Sequence, residues 1–281
     1  MINVSPISEV LGARIAGVDL SQPISEDLFG QLELALHTHG FIVLPGQSLT
    51  PEAMVRFARR WGRPEPHVID TFHHSADPNV LILSNVYKDG KPTGLADAGT
   101  YFHTDYSYLA DAARCTMLYA INVPTGRNGT CFANQALAYD QLPLSARARL
   151  DGLMVKHHYG NRDDLDPSSR TVASLLNDHQ KKKVDWVSHP LVRPHPFTGQ
   201  KALYAVSGSS FSIEGMSEEE GRTLLDELKV HATQDKFCHT YDYANGDVIV
   251  WDNALLLHKA PLIDLTRPRE LWRVTVKYNS V

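Results

Sequence analysis

Short β-strands dominate the chain from Cys115 onward, and this feature constrains the fold more than any other. Six segments rich in β-branched and aromatic residues follow one another there: CTMLYAI, MVKHHY, KALYAVS, FCHTYDY, DVIVWDN and LWRVTVKY. A doubly wound sheet would need strands and helices to alternate to the end of the chain, and they do not. The pattern therefore predicts a mainly β fold, a sandwich or jelly roll decorated by helices.

Helix signals are strongest in the first third of the chain. Ser25 is a typical N-cap for a helix that Gly40 ends, and Thr50 with Pro51 opens a second helix that closes at Gly62. Apolar strands are predicted after each helix, at 41–46 and 79–85.

Three further signals lie within the strand-rich part. The segment NQALAYDQLPLSARARL predicts one helix, and the capping box of Ser217 and Glu220 opens another. The tetrapeptide ANGD, Ala244 to Asp247, predicts a hairpin between the strands on either side of it.

The chain contains no stretch rich enough in Pro, Gly or Ser to separate domains, so a single domain over 1–281 is predicted. The segment around 162–185 is polar and weakly patterned, and it is long for a connection. We predict that it is a lid insertion near the mouth of the barrel, although a solvated insertion without a role has the same pattern.

Composition limits the expected partners and location. A formal net charge of −5 leaves no basic field for nucleic acid or an anionic membrane, so neither partner is expected. The first residues show no basic stretch followed by an apolar run, and the cytoplasm is the expected location. Cys115, Cys131 and Cys238 are far apart in the sequence, which predicts free thiols. A homo-oligomer is expected because most soluble assemblies are of this kind.

The segment YFHTDYSY, residues 101–108, is the sharpest signal for metal binding in a chain with 14 histidines. If it is a strand, His103 and Asp105 project from the same face and can both reach one ion. His258 follows an apolar strand later in the chain. Two imidazoles and a carboxylate on adjacent strands form the facial triad that suits non-haem Fe(II). A solvated strand end is the alternative for the triplet at 103–105.

Two arginines near the end of the sequence are candidates for binding anions. Strand alternation in LWRVTV places Arg269 and Arg273 on one face and Trp272 on the other. If the arginines face the barrel interior, they need anionic partners, because burying an unpaired charge is unfavourable. Alternation alone leaves open the opposite arrangement, in which Trp272 faces the core and the arginines face solvent.

Several motifs together carry a family resemblance that covers nearly the whole chain. In order they are LGARIAGVDL, VLPGQ, HTD, RNGT, WDN and a histidine followed by arginines after eleven and fifteen residues. With these motifs the sequence resembles the taurine dioxygenase and 2,4-dichlorophenoxyacetate dioxygenase (TauD/TfdA) family. The resemblance implies a distorted jelly roll, the double-stranded β-helix, and an Fe(II)- and 2-oxoglutarate-dependent dioxygenase that consumes O2.

The resemblance also implies roles for individual residues. His103, Asp105 and His258 match the iron ligands of the family. Thr130 matches a hydroxyl that binds a 2-oxoglutarate carboxylate, and Arg269 matches the clamp on the C5-carboxylate of that cosubstrate.

The implied substrate-binding residues are His67, Tyr106, Ser209 and Arg273. Arg273 matches an arginine that binds the substrate sulfonate in taurine dioxygenase. Since 2-oxoglutarate satisfies Arg269 and iron occupies Asp105, a substrate anion is the expected partner of Arg273.

The sequence departs from the family pattern at four places. The usual GGDT reads RNGT at 127–130, and we expect Asn and Gly to preserve the turn because both tolerate positive φ. Gly99 stands where taurine dioxygenase has a substrate-contacting asparagine. Tyr106 replaces a small residue, and Ser209 replaces an aromatic one. These changes argue against taurine itself as the substrate.

The expected reaction is hydroxylation of a small anionic molecule, a sulfonate, sulfate ester, aryloxyalkanoate or related carboxylate, with release of succinate and CO2. A zinc-dependent hydrolase using the same three ligands is an alternative, although it leaves Arg269 and Thr130 without a role. A non-catalytic jelly-roll binding protein is the second alternative.

Overall fold

Strands form most of the regular structure. A computed structural model of the protein describes residues 2–96, 99–126, 128–160 and 176–279. The strands, numbered in chain order, are β1 (Asn3–Pro6), β2 (Ala13–Ala16), β3 (Phe41–Leu44), β4 (Arg63–Glu65), β5 (His73–His74), β6 (Asp77–Ser84), β7 (Tyr87–Lys88), β8 (Lys91–Pro92), β9 (Ala113–Asn122), β10 (Thr130–Asn134), β11 (Met154–His157), β12 (Val187–Pro190), β13 (Val192–Pro194), β14 (Lys201–Leu203), β15 (Ser210–Ile213), β16 (Cys238–Tyr241), β17 (Val248–Asp252), β18 (Leu256–Lys259) and β19 (Glu270–Lys277). The helices are α1 (Glu26–His39), α2 (Pro51–Trp61), α3 (Gln135–Asp140), α4 (Leu144–Leu150), α5 (Asp178–Lys181) and α6 (Glu218–Ala232).

A large sheet and a small sheet face each other across the barrel interior. The large sheet has nine strands in the order β1-β2-β3-β17-β9-β19-β6-β5, with β4 also paired to β19. The small sheet has the order β16-β10-β18. Phe132 of the small sheet stacks on Phe41 of the large sheet, with ring centroids 4.6 Å apart. This is the distorted jelly roll, mainly β with helices, that the sequence predicts.

The central strands β3, β9 and β17 of the large sheet are buried on both faces, which explains their nearly continuous apolar sequences. Val248 and Val250 of β17 pack towards α1 and α2, in a core cluster that includes Met54. Ile249 and Trp251 of the same strand point the other way, into the barrel. The outer face therefore supports the helices, while the inner face is available to form the walls of a site.

Most of the predicted helix boundaries are confirmed. Ser25 and Thr50 cap α1 and α2 by accepting backbone N–H groups, and Pro51 is the first residue of α2. The capping box of Ser217 and Glu220 begins α6. The single helix predicted for NQALAYDQLPLSARARL is wrong, because Pro143 separates α3 from α4.

The predicted hairpin at 244–247 is also wrong, although the chain does turn there. Asp247 donates its backbone N–H to the carbonyl of Ala244 at 3.1 Å. The flanking strands do not pair with each other: β16 pairs with β10 in the small sheet, and β17 pairs with β3 and β9 in the large one. The turn therefore carries the chain from one sheet to the other.

The fold brings together two cysteines that are far apart in the sequence. Cys131 pairs with Thr240 and Cys238 with Ala133, so the two cysteines are diagonal neighbours on β10 and β16. All three cysteines are free, as predicted.

The lid prediction remains untested, because residues 161–175 lie outside the described part of the chain. The single-domain prediction also stays a prediction. No helix among the described residues has the length and apolar character needed to cross a membrane.

Candidate active site

The two site histidines lie directly opposite each other in the barrel. The backbone groups of His103 and His258 exchange two hydrogen bonds of 2.9 Å, and His258 belongs to β18. Paired residues of this kind place their side chains on the same face, and the ring centroids are 4.2 Å apart. The pairing explains why residues separated by half the chain meet at one point.

Asp105 joins the two imidazoles from a turn. The prediction that His103 and Asp105 lie on one strand is wrong, because only an isolated bridge forms at His103 and residues 105–108 form a turn. Tyr106 has φ 56°, a left-handed conformation uncommon for a bulky residue. The carboxylate nevertheless lies 3.6 Å from Nε2 of His103 through Oδ1 and 3.6 Å from Nε2 of His258 through Oδ2.

The protonation of these groups suits a divalent cation. Nδ1 of His103 lies 2.9 Å from the carbonyl of Tyr101, which can only accept, so this nitrogen carries the proton and Nε2 keeps its lone pair. Burial holds the pKa of His258 well below its ordinary value, so that ring is neutral. Burial alone would raise the pKa of Asp105, but Arg273 and the two imidazoles outweigh it and hold that pKa well below its usual range. One ionised carboxylate and two imidazoles, with ligand atoms within 4.8 Å of one another, can hold one metal ion.

Two neighbours hold the Asp105 carboxylate, one on each oxygen. Arg273 donates from Nη2 to Oδ1 at 2.6 Å, and the hydroxyl of Thr116 donates to Oδ2 at 2.6 Å. The expectation that Arg273 has only a substrate anion as its partner is therefore wrong, because Asp105 already serves as one. A guanidinium has five N–H groups, so this bond does not exhaust its capacity.

Two cavities meet at His103. The first, which we call the Arg269 cavity, is lined by Thr130, Arg269 and His258 among others. The second, the Ser209 cavity, is lined by all four residues predicted to bind substrate, His67, Tyr106, Ser209 and Arg273. Gly99, His103 and Arg273 line both cavities. Two molecules could therefore approach the same metal ion from different sides.

The Arg269 cavity is lined by the guanidinium of Arg269 and the hydroxyl of Thr130, and hydrogen bonds hold both groups in place. Arg269 is buried and donates from Nε and Nη2 to the carbonyl of Asn128, at 3.2 and 2.9 Å. Thr130, two residues further along, shares a 2.6 Å hydrogen bond with the hydroxyl of Tyr243. One short turn thus positions both groups that the sequence assigns to the cosubstrate.

The turn at 128–130 forms for a different reason from the one predicted. Neither Asn128 nor Gly129 has positive φ. Instead, Asp242 accepts the backbone N–H groups of both residues at 3.0 Å. A Cβ atom at Gly129 would lie 1.8 Å from the carbonyl oxygen of Tyr241, so glycine is needed for close approach of two backbones.

In the Ser209 cavity the polar groups differ in charge. Nδ1 of His67 accepts the backbone N–H of Ile69, so Nε2 carries the proton of the neutral ring. Burial, followed by the nearby charge of Arg273, lowers the pKa of His67 to about 3, which keeps the imidazole neutral. Ser209 shares a 2.9 Å hydrogen bond with Ser107. The cavity therefore combines the Arg273 cation and the Asp105 carboxylate with neutral hydrogen-bonding groups.

Comparison with known proteins decides the family. The model of the family described as taurine catabolism dioxygenase TauD, TfdA family, matches residues 3–275. The chain belongs to the TauD/TfdA family. It is 30% identical to the alpha-ketoglutarate-dependent 2,4-dichlorophenoxyacetate dioxygenase of Cupriavidus pinatubonensis, over 99% of this chain and 98% of that protein.

Solved structures of similar proteins agree with this assignment. A putative alpha-ketoglutarate-dependent taurine dioxygenase from Burkholderia xenovorans superposes with a TM-score of 0.82 at 30% identity, covering 99% of this chain and 93% of that one. AAD-2, solved in complex with Mn(II) and N-oxalylglycine, gives a TM-score of 0.83 at 28% identity and covers 99% and 97%. This TauD/TfdA member is therefore an oxidoreductase, and its cofactors are Fe(II), 2-oxoglutarate and O2.

One departure from the family pattern has a clear structural consequence. Gly99 has φ 69°, and a Cβ atom there would lie 2.5 Å from Cε1 of His103. An asparagine at this position, as in taurine dioxygenase, would displace the histidine ring or the backbone. Glycine at position 99 therefore leaves room for the His103 ring where the two cavities meet.

The described residues contain a second cluster of two histidines and one aspartate, namely His37, His195 and Asp252. Here the backbone N–H of Thr198 donates to Nδ1 of His195 at 3.1 Å, so Nε2 carries the proton. That proton is donated to Oδ2 of Asp252 at 2.9 Å. Binding a metal at Nε2 would require moving its proton to Nδ1, which already accepts the backbone N–H of Thr198, so the pair of His195 and Asp252 is structural.

Sequence reasoning missed the residues that support the ligands. Thr116 lies in a strand that reads only as apolar, and Asn128 and Tyr243 act through a carbonyl and a hydroxyl whose partners are distant in sequence. Asn253 belongs to the WDN motif, which was the only signal that pointed to it.

Proposed function

We propose that the protein hydroxylates a small anionic organic molecule in a reaction that depends on Fe(II) and 2-oxoglutarate. In this proposal His103, Asp105 and His258 hold the iron. The observation that supports it best is the meeting of the Arg269 cavity and the Ser209 cavity at His103, with His258 lining the first cavity and Asp105 the second. A two-substrate oxygenase needs such an arrangement, because cosubstrate and substrate must reach one metal ion together.

The Arg269 cavity is the proposed site of 2-oxoglutarate. Arg269 pairs with the C5-carboxylate, since a guanidinium recognises a carboxylate bidentately and is already oriented by Asn128. Thr130 donates its hydroxyl proton to a carboxylate oxygen of the same molecule, and Tyr243 holds that hydroxyl in place. When bound, iron with 2-oxoglutarate and O2 supplies the oxidising power to insert one oxygen atom into a C–H bond, with succinate and CO2 as coproducts.

The Ser209 cavity is the proposed site of the substrate. Arg273 binds the substrate anion through N–H groups that Asp105 does not use, and His67 adds a neutral donor through Nε2. Tyr106 and Ser209 form the remaining wall. Since Arg273 touches the Asp105 carboxylate, an anion bound to it places its neighbouring carbon beside the iron ligands. The substrate class is a sulfonate, sulfate ester, aryloxyalkanoate or related carboxylate.

The test is a screen for stimulated release of succinate. The enzyme is incubated with Fe(II), 2-oxoglutarate and O2, and each candidate anion is compared with its neutral counterpart, such as phenoxyacetate with phenoxyacetamide. We expect at least one anion to stimulate succinate release and its amide to have little effect. Equal stimulation by both would contradict the anionic substrate, and no 2-oxoglutarate turnover under any condition would contradict the reaction itself.

A further inference from the structure

The WDN motif ends at Asn253, a buried residue to which the proposed reaction gives no role. Its side chain lies between three groups of the site. Oδ1 accepts the backbone N–H of Asp105 at 3.3 Å and the indole N–H of Trp251 at 3.2 Å. Trp251 in turn packs against the ring of His258, with centroids 4.7 Å apart. Asn253 therefore binds the backbone of one proposed iron ligand, Asp105, and the tryptophan that packs against another, His258.

These contacts fix the orientation of the Asn253 amide. A backbone N–H and an indole N–H can only donate, so the atom facing both must be the amide oxygen. The amide nitrogen then points to Thr116, and Nδ2 donates to Oγ1 of that residue at 3.0 Å.

The orientation of Asn253 determines which acceptor the Thr116 hydroxyl donates to. Because Oγ1 accepts from Asn253 through a lone pair, its single proton is available to another acceptor. Oδ2 of Asp105 is 2.6 Å away, whereas the hydroxyl of Thr275 is 3.4 Å away. A short hydrogen bond to an ionised carboxylate is roughly twice as strong as a neutral one, so the proton goes to Asp105.

We infer that Asn253 and Thr116 form a relay that positions Asp105 for metal binding. Asn253 holds the main chain of Asp105 and orients the Thr116 hydroxyl. The hydroxyl in turn binds the Asp105 carboxylate and prevents it from rotating. Both are positioning residues, since neither touches the metal or a substrate. The inference rests on the proposed role of Asp105 as an iron ligand. Removing groups that orient a metal ligand typically lowers metal affinity by about 10–100-fold.

The experiment measures the affinity of metal-free protein for Mn(II), from the electron paramagnetic resonance signal of the free ion, without cosubstrate or turnover. Thr116→Val keeps the shape of the side chain and removes its hydroxyl. We expect Mn(II) to bind about 10–100-fold more weakly to this variant and to Asn253→Ala. Thr116→Ser restores the hydroxyl and should recover the wild-type affinity.

A matched control comes from the neighbouring strand. Thr275 is paired with Thr116 in the sheet and is equally buried, so Thr275→Val should leave Mn(II) affinity within about twofold of wild type. Melting temperatures of the metal-free variants identify any change that is only a loss of stability. If Thr116→Val melts lower but binds Mn(II) as wild type does, the relay is wrong and Thr116 is only structural.

Asp105→Ala separates this inference from the proposed function. If Asp105→Ala loses Mn(II) binding and Thr116→Val does not, the relay fails and the metal site stands. If Asp105→Ala binds Mn(II) as tightly as wild type does, the proposed metal site fails, and the relay fails with it.

Discussion

The described part of the molecule contains two largely buried clusters of the same composition, two histidines and one aspartate, and only one of these two is arranged to bind a metal. In the cluster of His103, Asp105 and His258, Nδ1–H of His103 donates to the carbonyl of Tyr101, and Nε2 faces the carboxylate. In the other cluster, a backbone N–H donates to Nδ1 of His195, and Nε2–H donates to Asp252.

The difference shows that proximity of ligand-type residues does not by itself make a metal site. The backbone group next to Nδ1 decides which nitrogen carries the proton, and so decides whether the lone pair or the proton faces the carboxylate. Asp105 is also held by Arg273 and Thr116, which use oxygens on either side of the carboxylate. The four predictions that follow test this contrast and what surrounds the functional cluster.

The largest expected effect is that of Asp105→Ala. Removing the carboxylate takes one of three ligands from the metal and leaves Arg273 without its described partner, so we expect loss of most bound Fe(II) and of all substrate hydroxylation. Iron content and succinate release are the measurements. A variant with stoichiometric iron and full activity would show that the metal lies elsewhere.

Arg269→Ala tests whether the functional cluster has a cosubstrate site beside it. Losing one partner of a buried charge pair costs about 3–5 kcal/mol, so the apparent KM for 2-oxoglutarate should rise at least about 100-fold. Iron affinity should change little, because the Arg269 guanidinium donates to the carbonyl of Asn128 and its proposed role is to bind the cosubstrate. Arg269→Lys keeps the charge without the bidentate geometry, so its apparent KM for 2-oxoglutarate should lie between those of the wild type and Arg269→Ala. An unchanged KM would point to a different cation.

Ser209→Phe tests the opposite side of the cluster. The larger side chain fills the Ser209 cavity without reaching the Arg269 cavity, so stimulated turnover of the substrate found in the anion screen should fall about tenfold or more in kcat/KM. Decarboxylation of 2-oxoglutarate without substrate should stay near the wild-type rate. Ser209→Ala, which removes the hydroxyl and its bonds to Ser107 and Ser207 without filling the cavity, is the control. Equal loss of both reactions would assign Ser209 to the fold.

Asp252→Ala should give the smallest effect on catalysis. It removes the acceptor of a buried N–H, which typically costs about 1–3 kcal/mol of the free energy of unfolding. Bound iron should remain at the wild-type level, because His195 does not present a lone pair to a cation. Denaturant unfolding and iron content, measured on the same sample, test both parts. A loss of one metal equivalent without a loss of stability would make the second cluster a metal site after all.

The sequence indicated candidate residues for the site but not the contacts between them. His103, Asp105, Thr130, His258 and Arg269 could be selected because each lies in a short motif with a fixed place in the chain order.

A single sequence contains no motif that indicates which distant residues contact each other in the fold. Arg273 meets Asp105 across 168 residues, and nothing in either motif indicates that pairing. Likewise, glycine is needed at 129 because the carbonyl of Tyr241 comes close, and that approach results from the pairing of β10 with β16.

The fold was predictable at the level of class for a physical reason. Alternating and continuous apolar strands reveal how many faces are buried, and Ser25, Thr50 and Ser217 mark helix starts through local hydrogen bonds. Sheet membership depends on long-range pairing, so the turn at 244–247 could be recognised while its role between the two sheets could not.

The most direct test is a crystal structure of the protein soaked with Mn(II), with an anomalous difference map recorded at the manganese edge. The account predicts one strong peak per chain between Nε2 of His103, Nε2 of His258 and the carboxylate of Asp105, and none beside His195 and Asp252. A peak at the second cluster, or no peak at the first, would contradict it.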